Sequence, residues 1–133
     1  MYTIKRNHLV EDLTIEDNGK TLELKVDINV DSILQMYNNA QYRIAQAAQN
    51  AKGAMDKKDM EAVEEAMGDA VLSLFEVIFG KEQTQKIIEF YGNKAFEMLS
   101  DISPFITDVV APKIKEAQQR IEDRYKQVSK RGK

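Results

Sequence analysis

The stretch Leu13-Thr-Ile-Glu-Asp-Asn-Gly-Lys-Thr-Leu-Glu-Leu-Lys-Val26 decides how the chain begins to fold. Two runs of alternating apolar and polar residues flank Asn18-Gly19, and this pair favours a two-residue turn whose central residues take positive φ. The apolar residues of the second run share one face of a strand. Because a lone hairpin is only marginally stable in water, we expect this face to lie on helices or on another chain.

From Ser32 onward the apolar residues recur at spacings of three and four, which is the period of an α-helix. Ser32-Ile-Leu-Gln35 has the form of a capping box, so the first helix is expected to start near Ser32. Asp59 is the expected cap of a second helix. Gly80 should end that helix, since glycine takes the left-handed conformation most easily.

The second half of the chain predicts further helices. Residues 82–91 and 95–102 form two apolar-periodic segments, and Gly92-Asn93 separates them. Ser103-Pro104 has the pattern of a cap followed by a first helical position. Pro112 should kink or restart the last helix, because proline lacks an N–H and crowds the carbonyl four residues earlier.

These patterns predict a mainly α protein with a small N-terminal β-hairpin, an α+β fold. We expect a bundle of four to five helices whose long C-terminal helix is kinked near Pro112. The length of 133 residues suits a single domain, 1–133. Its expected parts are a β-hairpin region (1–30), a helical body (31–111) and a basic C-terminal helix (112–133).

The composition argues against an enzyme. The chain has no cysteine and one histidine, His8, which excludes thiolate sites and histidine-rich metal sites within one chain. The glycine-rich phosphate loop and the common catalytic motifs are absent. Glu64, Glu65 and Asp69 are interpreted as a solvated acidic face, because helical dimetal sites use a Glu-x-x-His pair. We therefore predict no catalytic residue, cofactor or metal.

A membrane or nucleic-acid partner is not expected. The most apolar segment, residues 70–79, contains Ser73 and Glu76 and falls short of the roughly 20 apolar residues of a spanning helix. The formal net charge of −3 and the isoelectric point of about 5.3 argue against a nucleic-acid binder. The sequence predicts a soluble, cytoplasmic protein.

Charge is divided between two segments. Residues 54–82 carry eight acidic and three basic residues, whereas residues 113–133 carry eight basic and three acidic ones. The two segments can meet within one chain or head to tail between copies. The alternatives are two solvated helix faces, or a basic tail that touches nucleic acid. The narrow apolar stripe from Ile114 to Val128 either packs on the body or docks into another subunit.

The order of these features resembles the tail assembly chaperones of long-tailed bacteriophages, particularly those of Gram-positive hosts. The hairpin leads into Asp31-Ser-Ile-Leu-Gln-Met-Tyr37, and Leu74-Phe-Glu-Val-Ile-Phe-Gly-Lys-Glu-Gln83 is followed by Ile87-Ile-Glu-Phe-Tyr91. Such chaperones coat the long helical tape-measure protein before the tail tube polymerises around it. The resemblance implies a non-enzymatic protein that binds and solubilises the tape-measure protein in the host cell cytoplasm.

The contact surface for such a partner is expected to consist of apolar helical side chains: Phe75, Ile78, Phe79, Ile87, Phe90, Tyr91, Ile114, Ile121 and Tyr125. The alternative for the six residues around Gly80 is that they simply form the core. We also expect a homo-oligomer, because the hairpin face and the terminal stripe both need cover. The alternative function is a self-assembling structural or scaffold component of a phage particle.

Overall fold

The structure is a computed structural model that describes residues 1–131 and the side chains of residues 1–127. It confirms the mainly α fold with an N-terminal hairpin. The elements are β1 (His8–Asp17), β2 (Lys20–Asn29), α1 (Val30–Asn50), α2 (Lys52–Asp56), α3 (Met60–Tyr91), α4 (Ala95–Phe105) and α5 (Ala111–Arg131). A π-helical turn, Ile106–Val110, joins α4 to α5.

The hairpin forms at the predicted turn. Asn18 and Gly19 have φ values of 48° and 84°, and β1 pairs antiparallel with β2 so that Leu13 lies opposite Leu24. The apolar face packs on α3, and Leu24 and Val26 are buried there. Of the two covers expected for this face, helices or another chain, the structure shows a helix.

Helix α1 begins two residues before the predicted start. The Asn29 side chain, and not that of Ser32, provides the N-cap, because its Oδ1 accepts a hydrogen bond from the Ser32 N–H at 3.2 Å. The Ser32 hydroxyl accepts instead from the Arg6 guanidinium at 3.2 Å. Asparagine and serine are equally good N-caps. Asn29 caps α1 because it is the last residue of β2 and directly precedes the helix.

Helix α3 starts at the predicted cap and bends at the predicted glycine. The Asp59 carboxylate accepts from the Ala62 N–H at 3.3 Å. Gly80 has φ 81° and ψ 166°, a conformation outside the helical region. Gly80 therefore ends the helical segment 60–79, as predicted, and a second segment, 81–91, follows directly within α3.

The prediction that Ser103-Pro104 starts a new helix is wrong, because α4 runs through Pro104. The buried residues of this region recur every four positions: Met98, Ile102, Ile106, Val110 and Ile114. An α-helix has 3.6 residues per turn, so such a series would rotate away from the core. The wider π-helical turn takes up the difference, with the Ala111 N–H donating to the Ile106 carbonyl. The sequence predicted a kink or a restart at Pro112, and α5 starts after the π-helical turn at Ala111, one residue before this proline.

Helix α3 is the central element, and it contacts α1, α4 and β2. The largest apolar side chains that are fully buried come from several elements: Phe75, Leu74, Ile78, Ile87, Met98, Ile102, Val26, Val63, Val71 and Val110. Within the described residues, the helices are too short or too polar to cross a bilayer.

Candidate interaction surfaces

Five of the nine predicted partner-binding residues lie in the core. Phe75, Ile78, Phe79, Ile87 and Ile114 are 0–5% exposed. A partner could reach these side chains only if the fold opened, so their position does not support a contact surface. The structure favours the alternative given for the residues around Gly80, and for Ile114 it shows packing on the body.

Phe90 and Tyr91 are half-buried at the end of α3, where their rings meet edge to face with centroids 5.5 Å apart. The Tyr91 hydroxyl donates to Asp101 Oδ2 at 2.9 Å. Burial, and then the Asp101 carboxylate, raise the pKa of the Tyr91 phenol, so it remains a neutral donor. A cavity of about 400 Å³ beside this pair is lined mostly by polar residues, including Glu16 and Asp17. This surface is polar and does not suit an apolar helix.

Ile121 and Tyr125 are the predicted partner-binding residues that project into solvent, with exposures of 43% and 77%. We call this pair the α5 tip. Ile114 and Ala117 belong to the same stripe and are buried. The stripe is therefore covered in the first half of α5 and uncovered at the tip. Val128, the last predicted member, lies outside the described side chains.

The α5 tip lies beyond the beginning of α1. Arg120 Nη2 is 3.2 Å from Asp31 Oδ1 in the first turn of α1. At the other end of α5, Ala111 lines a cavity together with Tyr37 and Gln41 of α1. The two helices therefore run antiparallel, and residues of α5 after position 120 pass the point where α1 starts.

A second apolar surface was not predicted. Met55, Lys58, Met60 and Phe96 line a cavity of about 450 Å³ where α2, α3 and α4 begin or end. We call it the apolar cleft. Met55 and Met60 are 39% and 47% exposed. Met55 and Met60 are five residues apart in the sequence, but only the fold brings Phe96 beside them.

The two surfaces lie at opposite ends of α1. Met55 follows the C-terminal end of α1, where its N–H donates to the Ala51 carbonyl at 2.9 Å. The 21 residues of α1 span about 30 Å at a rise of 1.5 Å per residue. The α5 tip and the apolar cleft of one chain are thus too far apart to touch.

The oppositely charged segments do not pair within the described side chains. Arg120 pairs with Asp31 of α1, and Lys113 lies 3.7 Å from Glu116 of its own helix. No ion pair among residues 1–127 joins the acidic segment to the basic one. Lys130, Arg131 and Lys133 lie outside the described side chains.

Glu64 does not belong to the solvated acidic face that was predicted for Glu64, Glu65 and Asp69. Its Oε2 accepts a hydrogen bond from the Phe96 N–H at 2.8 Å, in the first turn of α4. Lys94, which precedes α4, provides no side-chain cap, so Glu64 caps this helix from α3. Glu65 and Asp69 are exposed, as the solvated interpretation predicted. In the part of the chain that the structure describes, no group of three or more carboxylate or histidine side chains is placed to hold a metal ion.

Comparison of the chain with protein-family models, with curated proteins and with solved structures gives no match. A functional assignment therefore depends on the two apolar surfaces and on the resemblance of the sequence features.

Proposed function

We propose that this protein is a tail assembly chaperone of a long-tailed bacteriophage. It binds the tape-measure protein in the host cell cytoplasm and keeps it soluble until the tail tube forms around it. The proposal involves binding only, with no catalytic step. It combines the resemblance of the hairpin and helix segments with the distribution of apolar side chains on the surface.

The observation that carries the proposal is the uncovered end of the α5 stripe. Ile114 and Ala117 are buried, whereas Ile121 and Tyr125 continue the same helix face into solvent. An exposed apolar helix face is a docking surface for amphipathic helices, which recognise each other through residues spaced three and four apart. A tape-measure protein is long, helical and apolar, so it presents the matching surface.

The apolar cleft gives the proposal a second contact region. Methionine is unbranched and polarisable, and it fits apolar partners of irregular shape. Met55 and Met60 beside Phe96 can therefore accommodate different helical segments of one long client. This adaptability suits a chaperone that coats a long sequence without strict selection.

The test is coexpression with the tape-measure protein of the same phage. We expect this protein to raise the soluble fraction of the client and to copurify with it. The double variant Ile121→Ser/Tyr125→Ser should lose most of that effect. The matched control Met36→Ser/Tyr42→Ser alters two side chains of α1 that are 53% and 64% exposed, and it should retain the effect. Equal client solubility with and without the wild-type protein would contradict the proposal.

The alternative function is a structural or scaffold component that assembles with itself, and the opposite charges of residues 54–82 and 113–133 favour it. Mass spectrometry of purified phage particles separates the two functions. A chaperone is absent from mature particles, whereas a structural component is present in stoichiometric amounts.

A further inference from the structure

We propose that two copies of this chain associate through the outer face of α1, with the two helices antiparallel about a two-fold axis. The face consists of five exposed residues whose spacing alternates between three and four positions: Gln35, Asn38, Tyr42, Ala45 and Gln49. We call it the α1 seam. The inference does not depend on the proposed function, because other residues form the two apolar surfaces assigned to the client.

The α1 seam lies on the side of α1 that faces away from the core. Ile33, Tyr37, Ala40 and Ala47 are buried on the opposite side, and α3 and α5 pack against the helix. At 3.6 residues per turn, Tyr42 projects about 180° from that buried row. A partner helix can therefore reach the α1 seam without opening the fold.

The α1 seam carries no charge, although the chain is rich in charged residues. These make up 31% of the sequence, whereas Arg43 is the single charged residue from Ser32 to Ala51. The Arg43 guanidinium donates to Ser73 Oγ of α3 at 2.8 Å, so it points to a flank of α1 and away from the seam. Depletion of lysine, aspartate and glutamate on a surface that keeps tyrosine is the composition typical of interface cores.

The chemistry of the α1 seam limits its partner. A charged side chain buried against it would lose its water without gaining a counter-charge. A purely apolar helix does not match it either, since three of its five side chains are amides whose donors and acceptors need partners when buried. The α1 seam of a second copy is both uncharged and rich in amides.

The order of residues along the α1 seam makes it self-complementary. When two α1 helices run antiparallel with Tyr42 of one copy opposite Ala45 of the other, the same alignment sets Asn38 opposite Gln49. The large aromatic ring then packs on the smallest side chain of the seam, and each amide faces another amide that can donate and accept. Both contacts occur twice, once on each side of the axis, as an isologous interface requires.

Tyr42 is prepared for burial in such a contact. Gln46 Nε2, one turn further along α1, donates to the Tyr42 hydroxyl at 2.9 Å. A buried tyrosine needs a hydrogen-bond partner for its hydroxyl, and here the same helix supplies it. Tyrosine is also among the residue types that contribute most to the free energy of association.

The charged groups at the two ends of the α1 seam balance in the proposed pair. Arg120 pairs with Asp31 at 3.2 Å before the seam, and Lys52 and Asp56 follow it. In the antiparallel pair, each end of one copy lies towards the opposite end of the other. Two helices about 30 Å long form a small interface. We therefore expect weak association that depends on protein concentration and changes little with added salt.

Sedimentation velocity of the purified full chain over a range of concentrations tests the interface. Ala45→Glu places a carboxylate on the α1 seam and should raise the dissociation constant about tenfold or more. The matched control Met36→Glu adds the same charge to α1 about 120° around the helix from Tyr42, and it should leave the constant unchanged. Circular dichroism verifies folding, and Tyr42→Ser replaces Ala45→Glu if that variant unfolds. A wild-type monomer at all concentrations, or equal effects of the two variants, would overturn the proposal.

Disulfide trapping tests the antiparallel alignment, because the chain has no cysteine of its own. Asn38→Cys and Gln49→Cys place thiols opposite each other in the proposed pair. Two thiols at the same position would lie about 16 Å apart along the helices, too far for a disulfide. Oxidation of an equimolar mixture should therefore give a covalent dimer, and each variant alone should remain monomeric on a denaturing gel. Covalent dimers of each variant alone, or no dimer in the mixture, would overturn the alignment.

The outcome is separate from that of the coexpression test, because the tape-measure protein is absent from both experiments. The control used there, Met36→Ser/Tyr42→Ser, removes the tyrosine of the α1 seam. It should raise the dissociation constant of the dimer about tenfold or more and still keep the client soluble.

Discussion

The side-chain amide of Gln83 pairs with both backbone polar groups of Lys25. Gln83 Oε1 accepts from the Lys25 N–H at 2.8 Å, and its Nε2 donates to the Lys25 carbonyl at 2.7 Å. The same Nε2 also donates to the Phe79 carbonyl at 2.8 Å. One residue of α3 thus substitutes for a neighbouring strand at the edge of β2 and attaches the hairpin to the helix beside the Gly80 bend.

Gln83→Glu should weaken the attachment of the edge of β2 to α3. A carboxylate can accept from the Lys25 N–H but cannot donate to either carbonyl, which then lies beside a negative charge. We expect a loss of about 1–3 kcal/mol in the free energy of unfolding, measured in urea, and faster hydrogen exchange at the Lys25 amide. Gln85→Glu changes an exposed side chain beside Glu89 and should cost less than about 0.5 kcal/mol. Equal losses in the two variants would contradict the role assigned to Gln83.

Gly80→Ala and Gly68→Ala should have opposite effects on stability. Gly80 has a backbone conformation that is accessible essentially only to glycine, so alanine there should cost about 1–3 kcal/mol. Gly68 lies inside α3, and a Cβ built on it meets no atom within 4 Å. Alanine at position 68 should therefore stabilise the helix by about 0.5–1 kcal/mol. Thermal unfolding of both variants measures the difference, and a Gly80→Ala variant as stable as wild type would show that the bend is not required.

Glu64→Ala should destabilise α4 by about 1–2 kcal/mol, because it leaves the Phe96 N–H without its acceptor. Glu64→Gln keeps an acceptor oxygen and should recover part of the loss. Glu65→Ala is the matched control on the exposed side of α3 and should stay within about 0.5 kcal/mol of wild type. Urea unfolding compares the three variants. If Glu65→Ala lowered the free energy of unfolding as much as Glu64→Ala, the loss would come from removing a negative charge from α3 and not from removing the cap of α4.

Tyr91 should make the protein sensitive to high pH. Its phenol has a raised pKa in the folded state, so the contribution to stability is complete below the unfolded value of about 10 and is lost as the pH rises beyond it. Tyr91→Phe should show a shallower decline of stability between pH 9 and 11, and Asp101→Asn should also reduce the slope. If wild type and Tyr91→Phe lose stability in parallel above pH 10, the phenol is not responsible.

Local signals in the sequence were sufficient for several elements. Asn18-Gly19 predicted the hairpin turn, Asp59 predicted the cap of α3, and Gly80 predicted the end of the helical segment 60–79. Each depends on the conformation or hydrogen bonding of a few neighbouring residues. The failure at Pro104 has a different cause, because the burial of Ile102 and Ile106 on either side keeps the helix continuous despite one missing N–H.

Contacts between distant segments could not be predicted. Gln83 lies 58 residues from Lys25, and Glu64 lies 32 residues from Phe96, so no local pattern indicates either hydrogen bond. The same limit applies to the surfaces. The apolar stripe of α5 can be read from the sequence, and its end is exposed because the stripe continues beyond the helices that cover its first half. Phe96, in contrast, joins the apolar cleft only through the packing of α4 on α3.

The π-helical turn at residues 106–110 determines how α5 is rotated about its own axis relative to the bundle. This turn holds one residue more than an α-helical turn, so closing it to a regular α-turn without deleting a residue would rotate α5 by about 100° relative to the bundle. The side chains of Ile121 and Tyr125 would then point in a new direction, although the sequence of α5 would be unchanged. A change in the hydrogen bonding of this single turn would therefore redirect the exposed side chains of α5 without replacing any of them.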